Sequence, residues 1–418
     1  MDAEKAEVIL IAYHFPPDPA IGGARPYRFY KYLKRAGRRC HVITAAPQAD
    51  GAAPDIHFVP DPTAAFWASP VKRRLPLKAQ IERAVRKYAL PDTGMAWALD
   101  AARGCREILR RNPGRRFVVF SSYPPAGSLL AGFLTALRQN IPWIADFRDP
   151  LVNFDAARFP LASPVFFGLR AVTARTAGAI VANTGPLAEQ WAEAFPRRKP
   201  KIHAIWNGFD AEERSSARPI PERPYRLLVH AGVLYVGRNP NLILESLARL
   251  RAKCAETRGI RMLLVGCVGY NSGLDQELCR RGVQEEWLDF RPDNIPRDQA
   301  RQISEEADFL LLLQPQSKVQ VPGKLFEYLA IGRPILAVAP PSSAAEYILA
   351  NAGVPHVCIH PGDPPDAVDA KLLQFFRLPS TPVRFNAWFE DLFEAKRQAA
   401  QLDSIIDSLA RKTGNISS

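Results

Sequence analysis

Short apolar segments alternate with amphipathic ones along this chain, and the alternation runs through once, stops, and starts again. Near the N-terminus, EVILIAYHF is an apolar run ending in the Gly-bearing loop PPDPAIGGARP. The amphipathic stretch YRFYKYLKRAG follows, closed by Gly37, and then the apolar CHVITAA. Apolar run, glycine loop, helix-period stretch and apolar run make a βαβ unit, and hence the start of a parallel sheet. RFVVFSS, PWIADF, GAIVANT and IHAIWNGFD continue the strand series, with Asn183 and Thr184 placed to cap the helix GPLAEQWAEAF. The polar, proline-bearing stretch 210–225 reads as a linker. Behind it YRLLVHAGV, IRMLLVGCV, EWLDFRP, DFLLLLQP and RPILAVAP supply a second series with helices between them. At 418 residues the chain exceeds one ordinary core. The pattern predicts an α/β protein of two doubly wound, Rossmann-like domains, 1–209 and 226–385, facing an interdomain cleft. The end of the chain reads as one long amphipathic helix over 386–411.

Charge is unevenly placed along this frame. Residues 1–220 hold 32 Lys and Arg against 19 Asp and Glu, whereas 221–418 hold 23 of each, so the net +13 belongs to the first half. A basic half beside a neutral one points to an anionic surface or substrate. No apolar run reaches the roughly 18 to 20 residues of a membrane-spanning helix. The acidic start MDAEKAEV is wrong for a secretory signal, so a soluble, cytoplasmic protein is expected. The six cysteines form no C-x-x-C pair and no zinc-like Cys/His cluster, which reads as reduced thiols. The motif D-x-D does not occur, so a diphosphate-bound divalent metal has no sequence support, and no metal or other cofactor is expected.

Five segments carry candidate chemistry. In VPGKLFEYLAIGRP (321–334) a leucine-rich strand leads through Pro322 and Gly323 into a helix whose first turn offers free N–H groups to a phosphate. Lys324 adds a charge there, and Glu327, one turn on, is placed to accept ribose hydroxyls. The same pattern fits a buried helix with a solvated Lys and Glu. In HAGVLYVGRNP (230–240), Gly232 and Gly237 allow close backbone approach and Arg238 is placed to clamp a diphosphate; a tight turn with a surface arginine is the plainer reading. Gly22 and Gly23 precede the first helix and offer a second backbone cradle, or a simple turn. Asp146, Arg148 and Asp149 in WIADFRDP stand where a strand ends, either as acid–base or acceptor-binding groups or as an ion-pair lattice. Finally, 71–90 reads as a basic amphipathic helix, suited to an anionic membrane or to packing on its own domain.

Six segments in order over about 320 residues, namely HFPP…GGAR…YKYL, SSYPP, ADFRDP, WNGFD, HAGVLYVGR and VPGKLFEYLAIGRPIL, resemble the retaining glycosyltransferases of family 4, on the GT-B fold. The likeness is closest to the branch acting in surface polysaccharide or glycan assembly. It implies transfer of a sugar from a nucleotide-diphosphate donor to a glycan or lipid-linked acceptor, with retention of configuration. It implies that Gly22, Gly23, Gly232, Arg238, Gly323, Lys324 and Glu327 bind the donor, with Arg238 and Lys324 stabilising the leaving diphosphate. Asp146 falls where the family's acceptor-facing residue stands, beside Arg148 and Asp149. The sequence departs from the family at Val233, where an arginine is usual, and at Val319, where a glutamate is. The resemblance also implies that 386–418 crosses back onto the first domain. Rival readings are a nucleotide-sugar epimerase on the same fold and a non-catalytic relic held at the inner face of a membrane by 71–90. A nucleic-acid binder lacks a recognition motif.

Overall fold

The computed structural model of the protein describes residues 5–18, 20–48, 53–63, 94–151, 163–234, 237–269, 273–293 and 295–414. The basic segment 71–90 lies outside the described residues. The chain forms two compact units: Met1–Asn207 with Ala395–Ser418, and Gly208–Glu394.

The first unit runs β1 (Glu7–Ile11), α1 (Ala24–Arg35), β2 (Cys40–Thr44), β3 (Ile56–Phe58), α2 (Trp97–Arg111), β4 (Phe117–Tyr123), α3 (Ala126–Gln139), β5 (Trp143–Phe147), α4 (Ser163–Thr176), β6 (Ala179–Ala182), α5 (Gly185–Ala194) and β7 (Ile202–Ala204). Its seven strands are ordered β3-β2-β1-β4-β5-β6-β7, every pair parallel. The central strands are buried along their whole length, which is why they read as largely apolar runs, with Glu7, Ser121, Ser122 and Asp146 as buried polar exceptions. Thr184 caps α5, accepting from the Leu187 amide at 3.3 Å.

The second unit runs β8 (Arg226–Ala231), α6 (Asn241–Lys253), α7 (Ala255–Arg258), β9 (Ile260–Val265), α8 (Leu274–Gln284), β10 (Leu288–Arg291), α9 (Arg297–Glu305), β11 (Phe309–Leu313), α10 (Gly323–Ile331), β12 (Ile335–Val338), α11 (Ala344–Ala352), β13 (His356–Ile359), α12 (Pro365–Phe376) and α13 (Ala387–Phe393). Its six strands are ordered β10-β9-β8-β11-β12-β13, again all parallel. In each sheet the order reverses once, at β1/β4 and at β8/β11. In open sheets of this kind the crevice beyond the strand ends at the reversal is where ligands bind. The two sheets with their helices are the α/β architecture expected from the alternation.

Two stretches differ from the sequence reading. The expected single helix over 386–411 is two, α13 and α14 (Ala395–Gly414), with Glu394 extended between them. The aromatic face of α13 fixes the break: Phe389 stacks on Phe209, and Phe393 packs on Phe326, all within the second unit. Only α14 joins the first unit, where Leu402 and Ile406 enter the core with Val8, Leu10, Phe29 and Phe120. Arg38 locks it there, reaching Asp403, Asp407 at 2.7 Å and the Ala6 carbonyl at 2.6 Å. The stretch 210–225 is tied down rather than free. Arg218 pairs with Glu305 at 2.8 Å and Arg223 with Asp308 at 2.7 Å, and the stretch belongs to the second unit.

Because Leu402 is fully buried in the first unit's core, Leu402→Ala should lower unfolding free energy by about 2–5 kcal/mol. Urea denaturation measures it. A loss below about 0.5 kcal/mol, the size of an ordinary surface change, would mean that α14 is only loosely docked.

Candidate functional site

The first unit's candidates gather at the carboxyl ends of β1, β4 and β5. Gly22 and Gly23 make the turn into α1, flat against the strand end. A Cβ on Gly23 would lie 3.1 Å from Phe15 Cα, and one on Gly22 2.9 Å from Arg148 Nη1. Arg148 spends its guanidinium on backbone: Nε donates to Tyr123 O at 3.2 Å, and the terminal nitrogens donate to Gly22 O and Pro124 O. Burial pushes its pKa below the usual arginine value, opposed by the charges of Asp149 and Asp146. Arg148 therefore clamps two loops together and has no free fork for an acceptor.

Asp146 needs a larger correction. Its side chain is wholly buried, and its two oxygens receive Arg25 Nη2 at 2.8 Å, Arg25 Nε at 3.1 and 3.2 Å, and Ser122 Oγ at 2.9 Å. Arg25, equally buried, also donates to Ile205 O and Trp206 O, at 2.8 and 2.9 Å. This pair ties α1 to β5 and to the segment after β7. A carboxylate so saturated and shielded is an internal brace, not a base facing an acceptor. The group that does stand at a strand end with an oriented ring is His14, just past β1. Its Nδ1 is 2.7 Å from Asp18, and Asp18 is itself held by the Ala20 amide at 2.9 Å. His14 keeps about a third of its side chain exposed. The sequence reading passed over it because a lone His carries no motif.

In the second unit the candidates converge at the β8/β11 reversal. The α10 helix opens at Gly323 after Pro322, leaving its first amides outside the helix ladder, and closes at Gly332. That glycine has φ +78°, and a Cβ there would sit 2.4 Å from Val383 O. The Lys324 side chain folds over Gly232, where a Cβ would lie 2.2 Å from Lys324 Cε and 2.9 Å from Nζ. Among the described residues no hydrogen bond or ion pair holds the Lys324 ammonium. Burial depresses its pKa; Glu327 opposes this, while Arg238 and Arg297 add to it. Arg238 Nη2 donates to Gln314 Oε1 at 2.9 Å, across from the end of β8 to the end of β11. Glu327 is partly exposed and accepts from the exposed Arg297 at 2.9 Å. Gly232, Arg238, Gly323, Lys324 and Glu327 thus surround one strand-end corner. Val233 and Val319, at the family's charged positions, are apolar and partly buried.

Two residues of this corner escaped the sequence reading. At Gly266, past β9, the backbone has φ +132° and a Cβ would fall 2.5 Å from Gly232 O. Only glycine lets these two backbones approach so closely. Its place in VGCV after an apolar run was the available signal. His230, one residue before the end of β8, is buried in the strand itself.

Comparison with known proteins agrees with this frame. Residues 21–213 match the family model described as Glycosyltransferase Family 4. No curated protein matches the sequence. Among solved structures, HepE of Anabaena in complex with UDP and glucose is similar at 14% identity, covering 97% of this chain and 100% of that one, with a TM-score of 0.59. The trehalose-phosphate synthase (UDP-forming) of Burkholderia vietnamiensis is similar at 13%, 99% of each chain and 0.58. WaaG, a glycosyltransferase involved in lipopolysaccharide biosynthesis, is similar at 14%, 98% and 99%, and 0.57. At such identities the likeness is one of fold, and that fold is GT-B. The family match lies over residues 21–213, less than half of the chain, and the solved structures share the fold over nearly its whole length. No helix among the described residues is long and apolar enough to cross a membrane.

Removing the Asp146 carboxylate would strand the buried Arg25 charge. Asp146→Ala should therefore cost about 3–5 kcal/mol of stability. Chemical denaturation of the purified variant measures it. Wild-type stability with lost activity would instead return Asp146 to the acceptor site.

Proposed function

We propose that the second unit binds a nucleotide-diphosphate sugar at the β8/β11 corner and that the enzyme transfers the sugar, with retention of configuration, to a glycan or lipid-linked acceptor. The observation that carries this is Lys324: a largely buried ammonium with no partner among the described residues, at a helix start and against a glycine backbone. An unpaired cation kept in such a place is costly to the fold. An anion that binds there repays the cost, and a helix N-terminus with an adjacent Arg238 favours a diphosphate over a single carboxylate. As the bond to the sugar breaks, charge grows on the leaving diphosphate against donors already in position. Lys324, Arg238 and the first α10 amides are those donors. Glu327, one turn along α10, accepts the ribose hydroxyls.

These cations stand where a bound metal would otherwise neutralise the diphosphate, and the sequence has no D-x-D. The reaction accordingly proceeds without a metal cofactor. The excess positive charge of residues 1–220 favours an acceptor bearing phosphate or other negative charge. The cytoplasm is where the donor is met.

Melting temperature against UDP, GDP, ADP, CDP and dTDP at millimolar concentration, with chelator present, tests the donor site. A ligand of the native state raises the transition by mass action, and one of the five should do so. No rise with any of them rejects the reading. With that nucleotide, Lys324→Met should weaken affinity about tenfold or more, yet leave the ligand-free melting temperature unchanged or higher. A variant that melts early and still binds would mark Lys324 as structural. Glu327→Ala should weaken binding while keeping the fold, since its exposed pair with Arg297 contributes at most about 1 kcal/mol. Affinity equal to wild type would remove Glu327 from the site.

A further inference from the structure

His230 is a titratable side chain buried inside β8 that the donor site, as described so far, does not use. The strand pairs with β9 over all six of its residues, Arg226–Ala231. With β11 it pairs only at Leu228 with Phe309 and at Val229 with Leu310. Past Val229 the β8/β11 ladder stops. His230 is the first residue beyond that point, and its Nδ1 lies 2.9 Å from the Leu311 carbonyl, a group on the strand it no longer pairs with. The ring thus replaces a ladder hydrogen bond with a side-chain one, across the gap where the strands part.

Burial pushes the imidazole pKa down to about 4, and the nearby charges of Lys324 and Arg238 push the same way, against the pull of the Leu311 carbonyl and, more weakly, of the Gly232 backbone. The ring is therefore neutral. A neutral ring facing a carbonyl carries its proton on Nδ1 and donates it. Among the described residues its Nε2 is buried with no hydrogen-bond partner, so the Leu311 bond, with a weaker attraction to the Gly232 backbone, is what holds the ring. Farther out, Arg238 and Gln314 make a second tie across the same gap, and Gly232 and Lys324 meet between the two ties.

We infer that His230 is a positioning residue for the donor site: its imidazole is a strut that sets the separation of the β8 and β11 strand ends, and with it the spacing of Gly232 and Arg238 from Lys324. The inference rests on the donor reading above. It reaches the ligand only through other residues, since the ring itself is sealed from solvent.

Asparagine carries an N–H donor two bonds from Cβ, as imidazole Nδ1 does, so His230→Asn can keep the bond to Leu311. Glutamine sets its amide one carbon farther out, and leucine has no donor. With the diphosphate that wild type binds, His230→Gln and His230→Leu should each weaken affinity about tenfold, the scale of one hydrogen bond lost. His230→Asn should stay within about threefold of wild type. The readout is Kd by titration at neutral pH, beside ligand-free melting temperature, and the Asn-against-Gln contrast decides the matter even if the Leu variant does not fold. Equal affinity in the Gln and Asn variants, whether both tight or both weak, overturns the strut. A wild type that binds none of the five diphosphates overturns the donor reading, and this inference falls with it; a binding wild type with an unaffected Gln variant overturns this inference alone.

Discussion

The hydrogen-bond ladder between β8 and β11 ends after two residue pairs, and the proposed donor corner of the second unit depends on that early stop. Once the strands part, the chain leaving β8 turns at Gly232 and the chain leaving β11 returns as α10. The ends of both point into one corner. Side chains must then do what the ladder no longer does. His230 reaches the Leu311 carbonyl, and Arg238 reaches Gln314. Gly266 lets the end of β9 press against Gly232 from the other side. The corner is thus tied on three sides, and among the described residues none pairs with the Lys324 ammonium inside it.

The first unit uses the same topology differently. There β1 and β4 stay paired over five residues, from Glu7 with Phe117 to Ile11 with Ser121. The turn beyond β1 is filled by the protein's own groups. Arg148 spends its donors on the carbonyls of Gly22, Pro124 and Tyr123, and Arg25 is consumed by Asp146. A cation satisfied internally holds loops in place, whereas Lys324, with no partner among the described residues, is the cation on which the proposed anion site rests. That difference, more than the presence of an Arg or a Lys, separates the two strand-end corners. It leaves His14 and Asp18 as the polar pair standing partly open at the end of β1.

Much of this was legible in the sequence wherever local pattern decides the outcome. Runs such as VILI and FLLLL are apolar throughout because both faces of a central parallel strand are covered, and GKLFEYLAIG carries its own start and its own αL stop. Asp146 was misread because a carboxylate at a strand end looks the same whether it faces solvent or a buried guanidinium. The deciding partner, Arg25, is 121 residues away. The single helix expected over 386–411 failed for a related reason. Its amphipathic period is continuous, but Phe389 and Phe393 pack in one unit and Leu402 and Ile406 in the other, so the chain breaks at Glu394. His230 was invisible because a histidine within an apolar strand has no motif. Its role appears only when the extent of pairing on each side of β8 is known.

Amide hydrogen exchange on the full chain, with and without a saturating nucleoside diphosphate, bears most directly on the donor corner. Ligand seated there must slow exchange of the amides opening α10, those of Gly323 and Lys324, together with those around Gly232 and Arg238. Saturated protein that shows protection elsewhere and none at these amides would contradict an anion site built on Lys324.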